Sequence, residues 1–478
     1  MNFPPRRVAA VLAACAAGYL LFFYGLTGVG LLGPDEPRYA AIGREMARSG
    51  DWITPRLWGD AWFEKPPLLY WMEAVGFGAG LGEEAAPRLP SALISAGFLL
   101  FFWLLLRREF GERAALFSTA ILATSAGWIA FSRIGVTDLP MAAAFSAAML
   151  LSLRWVDQGD RRLLPAAAAL LGLAVLAKGL VPLVLAVPLF WAARKHWRDA
   201  LRPGPLLAFF AVAAPWYIAV SVRHGSGFVD EFFLRHHFER FAGDALKHVQ
   251  PFWFYVPVFV ALLFPWSPLI ALLFRRKLYE DPRMRFLLVW TAFGFLFFSA
   301  ASNKLPGYLL PLLPAAAALL GTRLAQLPRP WLLVSCAALL MVMPVAAAIL
   351  PEALSRGITH VGATLPAWPA FLPFAAVGAA VWALIRRGRA EWALVTIAAS
   401  TVLSALWLQQ ATFPALDQIV SARSAWREIA ARRDEACVGD VNRKWRYNLN
   451  YYSEVPLPDC RAVPRPIRIE QPGSATSR

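Results

Sequence analysis

A chain of 478 residues, 58% hydrophobic and only 16% charged, does not have the composition of a water-soluble globule. Its apolar stretches, repeatedly about 17 residues or longer, fit bilayer spans instead. The formal charge of +16 calls for no nucleic acid, because the basic residues gather in short loops that would face anionic lipid.

In chain order, the first apolar run, 8–32, follows Arg6 and Arg7. It reads as a retained helix rather than a signal peptide, since no small-residue cleavage site precedes the "GPDEPRYA" that follows. A long loop, 33–87, comes next. Within it "PRYAAIGREMARSG" opens on Pro37 and closes at Gly50, with Tyr39, Ile42 and Met46 forming an apolar stripe opposite Arg44, Glu45 and Arg48. "DWITPRLWGDAWFEKPPLLYW" then sets Trp52, Trp58, Trp62 and Trp71 around Glu64 and Lys65, a membrane-interface composition. Two short helices lying along the membrane are expected here.

Spans follow near 88–106, 114–132, 136–153, 163–178, 179–193 and 205–222. Between the third and fourth, "SRIGVTDLP" places Arg133 and Asp138, and Lys178 divides the fifth from the sixth. A helix N-cap is the plain alternative for Asp138, and snorkelling to the interface for Lys178. A second outer loop, 223–250, holds His224, His236, His237 and His248, four of the six histidines. His236, Arg240, Asp244 and His248 repeat at helical spacing, while Phe233, His237 and Phe241 share a neighbouring face, so His237 also fits a histidine packed among aromatics.

Runs near 251–274, 286–301, 305–322, 330–350, 366–385 and 390–411 bring the total to about 13. "ASNKLPGYLLP" puts Asn303, Lys304 and Tyr308 between the ninth and tenth. Residues 1–411 thus form a membrane domain and 412–478 a small outer tail, with a proline-rich end from 464 that should fray. Cys15 and Cys336 fall inside spans as packing residues. Cys437 and Cys460 share the tail, where they either pair in an oxidising compartment or stay free thiols.

Lys and Arg outnumber acids heavily in the loops on the N-terminal side and roughly balance them on the other. That bias puts the N-terminus in the cytoplasm and the long loops and tail outside. Ionisable residues at membrane depth are costly and usually functional. The outer face collects Asp35, Glu36, Glu64 and Asp138, the cations Arg38, Lys65, Lys178, Arg240 and Lys304, and Tyr39, Tyr70 and Tyr308. Such a set suits a phosphate-bearing lipid: cations neutralise a leaving phosphate, Tyr and Arg bind its oxygens, and a carboxylate orients or deprotonates an acceptor. The absence of a P-loop, a glycine-rich nucleotide fingerprint, a GxSxG elbow or an HExxH motif argues against soluble nucleotide use. A secondary transporter would show ionisable residues near span centres and repeated halves, and neither is seen.

The stretch "DEPRYAAIGREMARSGDWITPRLWGDAWFEKPPLLYW" resembles the first periplasmic loop of the bacterial aminoarabinose transferases. These belong to the dolichyl-phosphate-mannose protein mannosyltransferase superfamily. The resemblance continues through "RIGVTDLP", "LAKGLV", "HHFERF", "HVQPFWFYVP" and "SNKLPGYLLPLLP", covering most of residues 1–325. It implies the GT-C fold: an all-α polytopic bundle of about 13 helices, interfacial helices in the first periplasmic loop, and a small α/β periplasmic C-terminal segment. It also implies transfer of a sugar from a polyprenyl-phosphate donor to a lipid acceptor such as lipid A, at the periplasmic face of the bacterial inner membrane, by a monomer.

Residue by residue, the resemblance makes Asp35 the acid beside the reacting centre. Arg38, Tyr39, Lys65, Arg240 and Tyr308 would line the donor phosphate and sugar, and Asp138 and Lys178 match further polar residues of the cavity. Glu64 and His237 match positions for a divalent metal, Zn or Mg, although two ligands alone make a poor site. The tail is shorter than the family's, which leaves the sugar and the acceptor contacts open. A protein O-mannosyltransferase is the alternative within the superfamily, although "FEKPP" and "KLPGY" favour the lipid-modifying branch.

Overall fold

The structure, a computed structural model, describes residues 5–232, 250–274, 279–326, 329–362 and 365–472. Eight of its helices are long and apolar enough to cross a membrane. Two further pairs are bent, Glu112–Ala123 with Ala126–Ser132 by 62° and Phe252–Leu262 with Ser267–Leu273 by 109°, which gives up to 10 spans. The bends brace each other. The Ala126 N–H donates to the Phe264 carbonyl at 2.9 Å and the Trp266 indole N–H to Thr124 Oγ1 at 2.9 Å, which ties one break to the other.

Asp138–Leu151 and Leu313–Gln326 are buried along almost their whole length and form the middle of the bundle, with Trp128, Trp155, Trp266 and Trp290 fully enclosed around them. Pro203–His224 and Trp368–Arg386 expose most of their apolar surface and form the rim. For a bilayer protein this is the expected economy: apolar side chains need no burial when lipid is the solvent.

The first run departs from expectation. The helix Pro5–Phe22 stops well short of position 32. Beyond it Gly25 and Gly33 adopt left-handed backbone, at φ 64° and 68°, and turn the chain. The carbonyls of Leu26, Val29 and Gly30 are taken by the Arg88 side chain instead of by a helix.

The long loop contains the two expected helices, Asp35–Ser49 and Leu68–Gly78. Gly50 closes the first in left-handed conformation, its N–H on the Met46 carbonyl. Between them Arg56–Leu57 and Asp60–Ala61 pair antiparallel around a turn at Trp58 and Gly59. Glu36 and Arg88 tie this unit to the bundle through a fully buried ion pair at 2.7 Å.

The helix Ala390–Ile419 runs on through position 411 into a small C-terminal unit. There Arg423–Ile429 leads to a parallel pair, Ala436–Val438 with Ile467–Ile469, flanked by the helix Arg443–Tyr452. Asn442 caps that helix by accepting from the Trp445 N–H at 2.8 Å. Trp445, Leu449, Val438 and Ile469 fill the core, and Cys437 and Cys460 are disulfide-bonded. The unit is fastened to the Asp35 helix. Arg44 donates to the Tyr451 carbonyl at 2.6 Å, Arg48 grips both Glu454 oxygens at 2.7 and 3.0 Å, and the Leu31 N–H donates to the Tyr452 hydroxyl at 2.9 Å.

Candidate functional site

Asp35 and Arg38 lie in the first turn of their helix, three residues apart, so their side chains meet on one face. One Arg38 nitrogen donates to Asp35, the other to Glu64 Oε2 at 2.8 Å, and Nε to the Pro34 carbonyl at 3.0 Å. Lys65 Nζ reaches the second Glu64 oxygen at 3.2 Å. Carboxylate, guanidinium, carboxylate and ammonium therefore form one chain. Arg38, Glu64 and Lys65 are buried, and only Asp35, with 38% of its side chain exposed, opens toward a solute.

Aromatic rings enclose the chain. Tyr39, Trp62 and Tyr447 have ring centroids 5.8, 5.8 and 5.2 Å from the Arg38 guanidinium. Burial by itself would depress the Arg38 pKa, but the charges of Glu64 and Asp35 outweigh it and hold the pKa above its ordinary value. Burial, and then the same carboxylates, push the Tyr39 and Tyr70 phenols well up, so both stay protonated donors. The Tyr70 hydroxyl and the indole N–H groups of Trp58 and Trp62 are buried without a hydrogen-bond partner among the described residues. A buried donor left unsatisfied is costly.

A second cluster joins Asp138 to Lys178 at 2.6 Å, with the Lys178 ammonium 5.1 Å from the Tyr308 ring centroid. Lys178 thus ends its helix on a carboxylate rather than snorkelling. Asp138 follows the N-cap residue Thr137 and makes no cap bond. Gly307 lies so close beneath that a Cβ there would collide with Asp138 and Phe131. Phe63, next to Glu64, and Leu176, near Lys178, belong to one buried apolar cluster.

Other expected residues do different work. Glu36 is structural: besides Arg88, it accepts from the N–H groups of Leu32 at 2.6 Å and Gly135 at 3.0 Å. Lys304 donates to the carbonyls of Ala301 and Gln250, and burial lowers its pKa. Arg133 bolts the end of the first helix by donating to the Leu21 and Tyr24 carbonyls at 2.8 and 2.7 Å. His237 and Arg240 lie outside the described residues.

Of the two expected metal donors, His237 lies outside the described residues. Both Glu64 oxygens carry cationic partners, and no group of three His, Cys, Asp or Glu side chains gathers anywhere described.

Comparison with known proteins places the fold among its relatives. Residues 64–220 match the family model for dolichyl-phosphate-mannose-protein mannosyltransferase. The chain is 35% identical over 337 residues to the undecaprenyl phosphate-alpha-4-amino-4-deoxy-L-arabinose arabinosyl transferase of Pseudomonas paraeruginosa, a match covering 67% of this chain and 60% of that protein. The Pectobacterium atrosepticum protein of the same name is 36% identical over 311 residues, covering 61% and 55%. This chain therefore matches less than two thirds of the length of these relatives.

Among solved structures, ArnT from Cupriavidus metallidurans bound to undecaprenyl phosphate superposes with a TM-score of 0.77 and 26% identity, over 94% of this chain and 85% of that one. Its apo form gives 0.75. With the fold, the motif-bearing loop and these similarities in agreement, the chain belongs to the protein mannosyltransferase superfamily, as a GT-C-fold relative of the bacterial aminoarabinose transferases.

Proposed function

We propose that this protein is an integral membrane glycosyltransferase. It moves a sugar, 4-amino-4-deoxy-L-arabinose or a related one, from a polyprenyl-phosphate donor to a lipid acceptor of the lipid A type. The observation that carries this reading is the buried chain Asp35–Arg38–Glu64–Lys65, which presents fixed cations beside one exposed carboxylate. The similarity to ArnT, whose structure is bound to undecaprenyl phosphate, supports a polyprenyl phosphate as the donor carrier.

The reaction is a single displacement at the anomeric carbon. An acceptor oxygen forms the new bond to that carbon as the bond to the phosphate oxygen breaks. The electron pair leaves with the polyprenyl phosphate, and configuration inverts. Arg38 and Lys65 are placed to stabilise the charge that grows on the departing phosphate, and they need little reorganisation because Glu64 already holds both. If the acceptor is a phosphate oxygen it is already ionised. If it is a hydroxyl, Asp35 takes its proton. Tyr39, Tyr308, Asp138, Lys178 and Arg240 are assigned to the surrounding donor pocket.

The topology follows the charge bias. The N-terminus is cytoplasmic, and the two helices of 33–87, lying along the interface, face the periplasm of the inner membrane with the C-terminal unit. The eight long helices, two bent pairs and three shorter apolar helices are consistent with about 13 spans. The protein works as a monomer.

The test is mass spectrometry of lipid A from cells with and without the protein, repeated with Asp35→Asn and Lys65→Ala. A single-sugar increment that disappears in both variants is expected; losing one phosphate contact should slow transfer about 100- to 1000-fold. Unchanged lipid A with well-expressed protein would refute lipid A as acceptor. A sugar found on protein instead would select the O-mannosyltransferase reading.

A further inference from the structure

The C-terminal unit reaches the polar site through one side chain. Tyr447, on the helix Arg443–Tyr452, sets its ring 5.2 Å from the Arg38 guanidinium. The same ring stacks on Trp58, with centroids 5.9 Å apart and planes at 20°. On its own helix, one turn away, Arg443 places its guanidinium 5.3 Å from the ring and donates to the phenol oxygen at 3.2 and 3.3 Å. Tyr447 is therefore clamped in place, and the helix that carries it is held at its C-terminal end by Arg44, with Arg48 gripping Glu454 just beyond.

We propose that Tyr447 is a positioning residue: it holds the Arg38 guanidinium between Asp35 and Glu64 in the plane that receives the leaving phosphate, so that the C-terminal unit completes the active site. This rests on the function proposed above. A guanidinium bonded only at its edges can still tilt about the axis through those bonds, and a ring on its face removes that freedom. Trp62 and Tyr39 of the membrane domain lie at 5.8 Å, and Tyr447, from the C-terminal unit, is the nearest of the three rings at 5.2 Å. The demand is for a flat aromatic face; the hydroxyl serves only the bond to Arg443.

The experiment uses the purified full-length protein in lipid nanodiscs, with Tyr447→Leu, Tyr447→Phe, Arg38→Ala and, as an exposed control in the same unit, Arg432→Ala. Turnover of a polyprenyl-phosphate sugar is measured along with binding of the polyprenyl phosphate alone, read by tryptophan fluorescence, and melting temperature reports folding. Tyr447→Leu should lower kcat roughly 5- to 30-fold, the range of a partly desolvated cation–π contact, with acceptor KM and melting temperature little changed. Tyr447→Phe should recover most of that loss. Wild-type kcat in Tyr447→Leu, or equal losses in Leu and Phe, overturns the proposal. If Arg38→Ala loses turnover and Tyr447→Leu does not, the proposal falls and the function stands. If the wild type neither binds the polyprenyl phosphate nor turns over, the functional reading fails and takes this assignment with it.

Discussion

Replacing Arg88 with Met should loosen the segment that holds the candidate active site without touching any group assigned to substrate. All five N–H donors of the Arg88 guanidinium are used: two on Glu36 at 2.7 and 3.0 Å, and three on the carbonyls of Leu26, Val29 and Gly30 at 2.7–2.8 Å. Met fills similar volume but leaves Glu36, 1% exposed, with two backbone N–H partners and no counter-charge. Removing one partner of a buried pair costs about 3–5 kcal/mol. That is a loss of roughly 100- to 5000-fold in protection against local opening. Hydrogen–deuterium exchange read by mass spectrometry should place the loss in residues 26–40, with kcat falling as Asp35 and Arg38 lose their fixed base. Adding Glu36→Gln to Arg88→Met removes the stranded charge and should restore part of the protection, a coupling of about 1–3 kcal/mol. Unchanged exchange across 26–40 in the single variant would refute the reasoning. So would a double variant worse than the sum of its parts.

The Asp138–Lys178 pair should behave as one unit. Asp138→Asn and Lys178→Met each cost on the order of 100-fold in turnover, and the double variant should lose little more than the worse single; additive losses would show two independent roles. Glu73 is fully buried without a hydrogen-bond partner among the described residues, and burial together with the nearby Glu36 pushes its carboxyl well up. A folded-state pKa above the unfolded one favours the native state at low pH, and this contribution is lost as pH rises through the folded value. Melting curves from pH 5 to 8 should therefore show Glu73→Gln gaining on the wild type as pH rises, and parallel curves would contradict this. Replacing Cys437 and Cys460 by Ser opens a loop of sequence separation 23 and should cost the C-terminal unit about 3 kcal/mol. Faster proteolysis within 430–472 is the readout, and an unchanged rate would show that the bond contributes little.

Much of the site could be read from the sequence because its chemistry is local in the chain. "DEPRY" puts an acid and an arginine one helical turn apart, and "FEKPP" puts Glu64 and Lys65 side by side, so the structure had only to bring two short segments together. Asp138 and Lys178, 40 residues apart, were visible as polar residues at span ends, although their bond was not. Apolar runs marked most helices, although two expected spans are bent pairs, the 390–411 run extends to Ile419, and the first run stops early where side chains compete for the backbone. The first run carries enough apolar residues to reach position 32, but glycines at positive φ and the pull of Arg88 on three carbonyls end it at Phe22. Composition cannot show such competition. Glu36 looked like a substrate acid because it neighbours Asp35, yet consecutive helical residues point about 100° apart, and its side chain faces inward to Arg88. Tyr447 carried no signal, since a ring on a guanidinium 409 positions earlier leaves no local pattern.

The contacts that fasten the C-terminal unit are also statements about time. Asp417 accepts from the Gly30 N–H at 2.7 Å across 387 residues, and Tyr452 from Leu31 across 421. At synthesis rates of about 5–20 residues per second, the Asp35 helix waits on the order of 20–80 s for the partners that complete its surroundings. Through that interval the nascent chain already lies in the membrane beside its lipids, with Arg38 lacking one of its covering rings. A ribosome that stalls in the final span would leave a nearly whole bundle with an unfinished site, so incomplete products would be silent rather than misdirected.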